Sequence, residues 1–204
     1  MSTLKVDTIQ KRTGTGTINV GQSGDTIAMP SATLTTALPI TSGGTGGTSF
    51  SAAGLANTPS FFAFLSSNQT ITSGAATKVQ FNTEVLDTDN TYDNSSNYRF
   101  TPGVAGKYYI FSGGLCGAGS ENLTEAEMYI YVNGSTTNSS KTSFNHNNQR
   151  ANVVTPYTCM VVDASATDYF EVYATITDSS GNPSLFGDSN QRRTYFGAYK
   201  LIGA

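Results

Sequence analysis

Residues able to do chemistry are few in this chain and far apart. The single histidine, His146, stands in the polar run Ser143-Phe144-Asn145-His146-Asn147-Asn148. Nucleophilic catalysis needs a hydroxyl or thiol held against such a base, and no Gly-x-Ser-x-Gly elbow occurs to present one. Nothing nominates a carboxylate pair for sugar hydrolysis either, so no catalytic residue is assigned and no enzyme is expected. The one acidic cluster is Asp87-Thr88-Asp89-Asn90-Thr91-Tyr92-Asp93. Asp87, Asp89 and Asp93 could offer hard oxygen ligands to calcium, but no Gly stands at the sixth place and no Glu at the twelfth. Asp and Asn capping their own turn is the favoured reading, and no other cofactor is expected. Cys116 and Cys159 each fall inside a strand pattern, where Cys packs as a small hydrophobe; a buried pair of thiols is expected, with a disulfide left open.

The elements that must position these residues are strands. From Ser60 onward, segments near 60–65, 77–82, 97–101, 106–116, 126–133, 149–162, 168–177 and 193–202 alternate apolar and polar residues, with short extra strands around 70–72 and 84–86. Turn residues punctuate the gaps, notably Asn133-Gly134 and Asp178-Ser179-Ser180-Gly181-Asn182-Pro183. Ten short strands without a helical period predict an all-β sandwich or jelly roll.

Only 12% of the 204 residues are charged, and the net charge is −3. Eleven scattered Lys and Arg make no phosphate-neutralising patch, so nucleic acid is set aside as a partner. No stretch approaches 18 apolar residues, and the start lacks a charged-then-apolar leader, so neither membrane insertion nor secretory processing is expected.

Two boundaries divide the chain. The 11 Phe and 11 Tyr all lie at Phe50 or later, and no charged residue occurs between Asp25 and Lys78. Residues 1–40 therefore read as an extended arm, 41–57 as a Gly-rich linker with a short helix near 48–56, and 58–204 as a head. In the arm, Leu4, Val6 and Ile9 form a strand-like pattern without a local partner, which predicts docking on something else.

Two segments then carry a resemblance. Tyr98-Arg99-Phe100-Thr101-Pro102-Gly103-Val104-Ala105-Gly106-Lys107-Tyr108-Tyr109-Ile110-Phe111-Ser112 reads as strand, Pro-Gly turn, strand, and Thr194-Tyr195-Phe196-Gly197-Ala198-Tyr199-Lys200-Leu201 closes the chain. Their order closely resembles the complement C1q-like domain, a trimer-forming jelly roll related to the tumour necrosis factor family. Phe61 to Leu65, Val79, Phe81, Tyr92-Asp93, Asp163 and Asp168 to Val172 extend the likeness over about residues 58–204. No collagen Gly-X-Y run precedes the head, which leaves the scaffold without the complement role. The Gly-Gly-Thr-Gly joint at 43–46 looks like a phage tail-fibre linker, and Ser2 to Gln10 resembles the start of phage structural proteins.

These resemblances imply a homotrimeric phage fibre or appendage, assembled in the host cytoplasm and exposed on the virion. Its arm would dock on a capsid or tail protein and its head would contact a host-surface glycan or protein. The alternatives are a capsid-decorating knob without a receptor role and a non-viral C1q-like recognition module. Alternation places Tyr129, Tyr131, Tyr169 and Tyr173 opposite the aliphatic face, and the resemblance puts such residues against the three-fold axis. Strands 126–133 and 168–177 are expected to run outward together, ending in distal loops Gly134–Asn148 and Asp178–Gln191, with Asp163–Thr167 a basal turn. The receptor contacts expected there are Phe144, Asn145, His146, Asn147, Asn182, Leu185, Phe186 and Asp188.

Overall fold

Runs of alternating apolar and polar residues, cut by Gly, Pro and Asn, form strands throughout. The computed structural model describes residues 55–118, 123–145, 151–179 and 183–202. Leu4, Val6 and Ile9 of the arm lie outside them, as does most of the linker. In chain order the strands are β1 (Ser60–Phe64), β2 (Gln69–Thr70), β3 (Thr77–Lys78), β4 (Thr83–Asp87) and β5 (Tyr92–Asp93). β6 (Arg99–Phe100), β7 (Gly106–Gly113), β8 (Cys116–Gly117), β9 (Leu123–Val132) and β10 (Ser135–Asn145) follow. The last are β11 (Val153–Val154), β12 (Tyr157–Ala164), β13 (Phe170–Asp178), β14 (Ser184–Leu185) and β15 (Tyr195–Lys200). No helix occurs among the described residues.

The strands make a two-layered antiparallel sandwich. One sheet has the order β12-β7-β15-β1-β4, and the other runs β10-β9-β13-β6-β5 with β3 also on β13. A smaller sheet, β11-β8-β14-β2, repeats the order of the first because each of its strands directly precedes or follows β12, β7, β15 or β1 in the chain. It is the first sheet resumed after a break at Gly114-Leu115 and Thr155-Pro156. Buried Thr194 bridges that break: its hydroxyl accepts from Leu115 N at 3.1 Å and donates to Phe186 O at 2.8 Å.

The core lies where alternation placed it. Phe170, Val172, Ala174 and Ile176 of β13 are buried, as are Met128 and Ile130 of β9. At the centre the Phe61 ring stacks on Tyr92 at 4.7 Å and Phe100 at 4.8 Å and meets Phe196 edge-on at 4.9 Å. Burying Tyr92 and Tyr108 requires partners for their hydroxyls, and each donates to a backbone carbonyl: Tyr92 to Phe81 O at 3.1 Å, Tyr108 to Val104 O at 2.7 Å. The second bond ties the Pro102-Gly103 turn to the strand that follows it. Gly103, at φ 71°, takes the left-handed conformation that the turn needs.

Three expectations are corrected. The stretch 135–145 is not a distal loop but the long edge strand β10, whose polar Ser-Thr-Lys composition suits an edge. Its hydroxyls close the sandwich by bonding across to β12: Ser140 donates to Cys159 O at 2.8 Å and Thr142 to Tyr157 O at 2.6 Å. Second, β9 and β13 are antiparallel neighbours, Val132 opposite Phe170, so they cannot both run outward. The Asn133-Gly134 turn and the 165–169 turn share one end, where Tyr169 N donates to Asn133 Oδ1 at 2.9 Å. Third, the strand expected at 149–162 is divided into β11 and β12 around Pro156, which has no N–H to give to a ladder.

Candidate functional site

The outer face of the first sheet is built in levels by strand register. Tyr157, Gly113, Tyr195 and Phe64 stand opposite one another in the first level, then Cys159, Phe111, Gly197 and Phe62, then Val161, Tyr109 and Tyr199. Glycine at 113 and 197 makes the floor flat. A Cβ on Gly113 would stand 2.7 Å from the Tyr195 hydroxyl oxygen, and one on Gly197 would stand 2.6 Å from Phe111 Cζ, so each ring lies across the glycine beside it. Phe111 neighbours Tyr109 at 5.6 Å and Phe62 at 6.2 Å, and Tyr109 neighbours Tyr199 at 5.5 Å. Tyr109 and Tyr157 share a hydroxyl hydrogen bond of 2.7 Å, and that bond is the main cause holding the Tyr109 phenol well above the usual tyrosine range. Val161 remains 63% exposed and Tyr157 43% exposed, so the face is an apolar surface open to water. The alternation of Tyr109 and Phe111 against buried Tyr108 and Ile110 was a legible signal for this face, and the sequence reading passed over it.

The opposite face has a different character. Tyr129, Tyr131 and Tyr173 do project outward from β9 and β13, and Tyr131 stacks on Tyr173 at 4.4 Å. Charges are interleaved with them. Lys78 pairs with buried Glu171 at 2.5 Å, Arg99 sits 4.6 Å over the Tyr169 ring, and Lys141 binds buried Glu127. Burial pushes the Glu127 carboxyl up, but hydrogen bonds from Lys141, Tyr129 and Ser143 outweigh it and hold the group below the usual range. The Tyr rings thus find partners within their own chain.

Of the expected receptor residues, Phe144, Asn145, Leu185, Phe186 and Asp188 fall within the described residues, at the close of β10 and in and after β14. Asn145 opposes Glu125 and Thr177 opposes the same residue, so the close of β10 and the close of β13 lie at one end of the sheet, on either side of β9. Phe144 packs half-buried on the core and lines a groove of about 440 Å³ with Thr142, Val154, Pro156 and Tyr157. Leu185 is fully buried in β14, so its side chain is core and not a contact surface. Phe186 covers Gly117, and Asp188 caps the 188–191 turn through the N–H groups of Asn190 and Gln191 and pairs with Arg193 at 3.1 Å. His146, Asn147 and Asn182 lie outside the described residues.

The acidic cluster is a pair of capped turns. Asp87 accepts from Thr91 N and Tyr92 N, at 3.0 and 2.8 Å. Asp93 accepts from the N–H groups of Ser95, Ser96 and Asn97, and the first two, Ser96 foremost, hold its carboxyl far below the usual range. Asp89 takes only a 3.4 Å bond from Thr88. Among the described residues no group of three acidic, His or Cys side chains is placed to hold a metal ion. The thiols do not form a buried pair: Cys116 is buried, Cys159 is on the open aromatic face, and both are free.

No protein-family model matches the chain, and no curated protein matches it. Solved structures do. The globular domain of the zebrafish complement 1qA protein aligns at 16% identity with a TM-score of 0.49, covering 71% of this chain and 97% of that one. Eiger TNF from S. frugiperda aligns at 9% identity with a TM-score of 0.50, covering 71% and 93%. Murine APRIL at pH 5.0 aligns at 14% identity with a TM-score of 0.48, covering 70% and 98%. Identities this low speak for fold alone. With the strand order above, the described head is an all-β jelly-roll sandwich that shares its fold with Eiger TNF.

Proposed function

We propose that this chain is a homotrimeric, non-catalytic recognition protein, the fibre or appendage of a phage particle. Its arm, through Leu4, Val6 and Ile9, docks on a capsid or tail protein, and its head is exposed on the virion to meet a host-surface glycan or protein. One observation carries the association: the open aromatic face formed by Phe62, Tyr109, Phe111, Tyr157, Val161, Tyr195 and Tyr199. A contiguous apolar face of this kind is covered in a stable soluble protein. Copies of the same chain are the favoured cover, because Tyr offers apolar area with a hydroxyl that stays hydrogen-bonded, as Tyr109 and Tyr157 are. This face is preferred for the three-fold axis over the one bearing Tyr129 and Tyr173, where Lys78, Lys141, Glu127 and Glu171 would have to be desolvated together. The number three comes from the C1q-like signature, and the virion from the arm and linker.

Light scattering on the full chain at micromolar concentration tests the association. The expected mass is three chains, falling to one with Val161→Lys, which brings like charges into the buried face without touching the core. Val104→Lys, at an exposed position in the Pro-Gly turn away from this face, keeps the trimer. A single-chain mass for the parent protein, or a trimer that survives Val161→Lys, overturns the face.

A further inference from the structure

Among the described residues, four other than glycine hold a positive φ: Asn90, Asn133, Asn138 and Tyr98. Three are asparagine, which tolerates the left-handed region because its short side chain bonds locally. Tyr98, at φ 50°, is the exception. A ring-bearing residue there costs stability through the clash of Cβ with its own carbonyl, and such positions concentrate at functional sites. Turn geometry by itself calls for Gly or Asn at this place.

Half-buried Tyr98 lines a cleft of about 140 Å³ together with Gln69, Gln80, Asn82, Asn68 and Ser67. Nothing charged lines it. Its amides are held in set orientations. Gln69 donates to Lys78 O at 2.8 Å and accepts from Gln80 N at 2.9 Å, so both ends of its side chain are fixed. Asn82 Oδ1 accepts from Ser66 N and Ser66 Oγ, each at 3.1 Å, and Asn68 Oδ1 accepts from Gly187 N at 3.0 Å. With each carbonyl oxygen occupied, the NH₂ groups of Asn82 and Asn68 are the donors left over, and the Gln80 amide and the Tyr98 hydroxyl add both donors and acceptors. Preset neutral hydrogen-bonding groups beside one aromatic ring suit a small uncharged ligand rich in hydroxyls.

We propose that this cleft binds one neutral pyranose unit of a glycan, with the apolar face of the sugar on the Tyr98 ring and its hydroxyls on the Asn82, Asn68 and Gln80 amides. A charged sugar acid finds no cation in the cleft, and an extended peptide does not fit the volume. The inference deepens the recognition reading, on which the choice of a glycan as ligand rests in part. Yet every wall comes from one chain, so the single-chain Val161→Lys form tests the cleft apart from the trimer.

The full chain is titrated with D-glucose, D-galactose, D-mannose and N-acetyl-D-glucosamine in turn, followed by saturation-transfer NMR and by the amide signals of Asn82, Asn68 and Gln80. At least one sugar should bind with Kd on the order of 1 mM, the range for so few atoms, and should move the side-chain amides named. Tyr98→Asn keeps the left-handed backbone and removes the ring. It should weaken that sugar at least tenfold while leaving the urea midpoint unchanged or higher, a pairing that a purely structural tyrosine would not give. The proposal is overturned if none of the four sugars binds, if binding survives Tyr98→Asn, or if Tyr98→Asn lowers the midpoint.

Discussion

Gly197→Ala probes how the aromatic face is made flat. The new Cβ would lie 2.6 Å from Phe111 Cζ and 3.1 Å from two further ring carbons. Carbon atoms in contact rest at about 3.5–4.0 Å, so the ring must rise by ~1 Å. It cannot slide freely within the floor, because Tyr109, Phe62 and Tyr195 surround it with centroids 5.6, 6.2 and 6.4 Å away. Overpacking of this kind costs about 1–3 kcal/mol. Alanine recovers about 0.5–1 kcal/mol of chain entropy relative to glycine. The net loss of folding stability is therefore roughly 1 kcal/mol, and association should suffer more, since the lifted ring stands proud in the middle of the face. Urea titration in the Val161→Lys background reads the folding term without the concentration dependence that association brings. Light scattering in the parent background reads association. Phe111→Leu removes the obstructed ring atoms, so the two substitutions should couple by about 0.5–3 kcal/mol. Equal cost for Gly197→Ala with Phe or Leu at 111 would refute the account of the floor.

Asp93→Asn should flatten the acid limb of the stability curve. The Asp93 carboxyl is held below its ordinary value by turn N–H groups, so its contribution is fully present above pH about 4 and is lost as pH falls toward the folded-state value. Urea midpoints from pH 6 to pH 2.5 check this, and an unchanged pH slope in the variant counts against it. Phe61→Ala should cost about 3–5 kcal/mol, since it empties the centre of a stack of Tyr92, Phe100 and Phe196. A loss under about 1 kcal/mol, read by thermal or urea unfolding, would mean that the three rings collapse into the space.

Much of the head was legible because strand alternation is local. Phe170, Val172, Ala174 and Ile176 announced a buried face two residues at a time, and the structure buries all four. The Pro102-Gly103 turn was legible for the same reason, since φ is restricted or freed by the residue itself. The edge strand β10 was not. Ser135 to Asn145 has the composition of a loop, and only its long ladder with β9 and its hydroxyl bonds to β12 make it a strand. The direction of β9 relative to β13 likewise depends on which strands become neighbours, a non-local fact. The error there placed the Gly134 turn at the wrong end, whereas the structure sets it beside the 165–169 turn.

The sequence by itself determined the all-β class and the aliphatic core, because composition and period-two alternation act over a few residues. It also made the acidic cluster a capping motif, since Asp bonds the N–H groups of its own turn. Only the tertiary structure decided which aromatic face is open. Tyr129 and Tyr173 look the same in the sequence as Tyr109 and Tyr199, but Lys78 and Lys141, brought from other strands, lie over the first pair, while Gly113 and Gly197 leave the second as a flat floor. The cleft at Tyr98 belongs to the same class of fact. Its walls come from segments near 67, 80 and 98, and its mark, a tyrosine forced into a left-handed conformation, exists only once the backbone around it is closed.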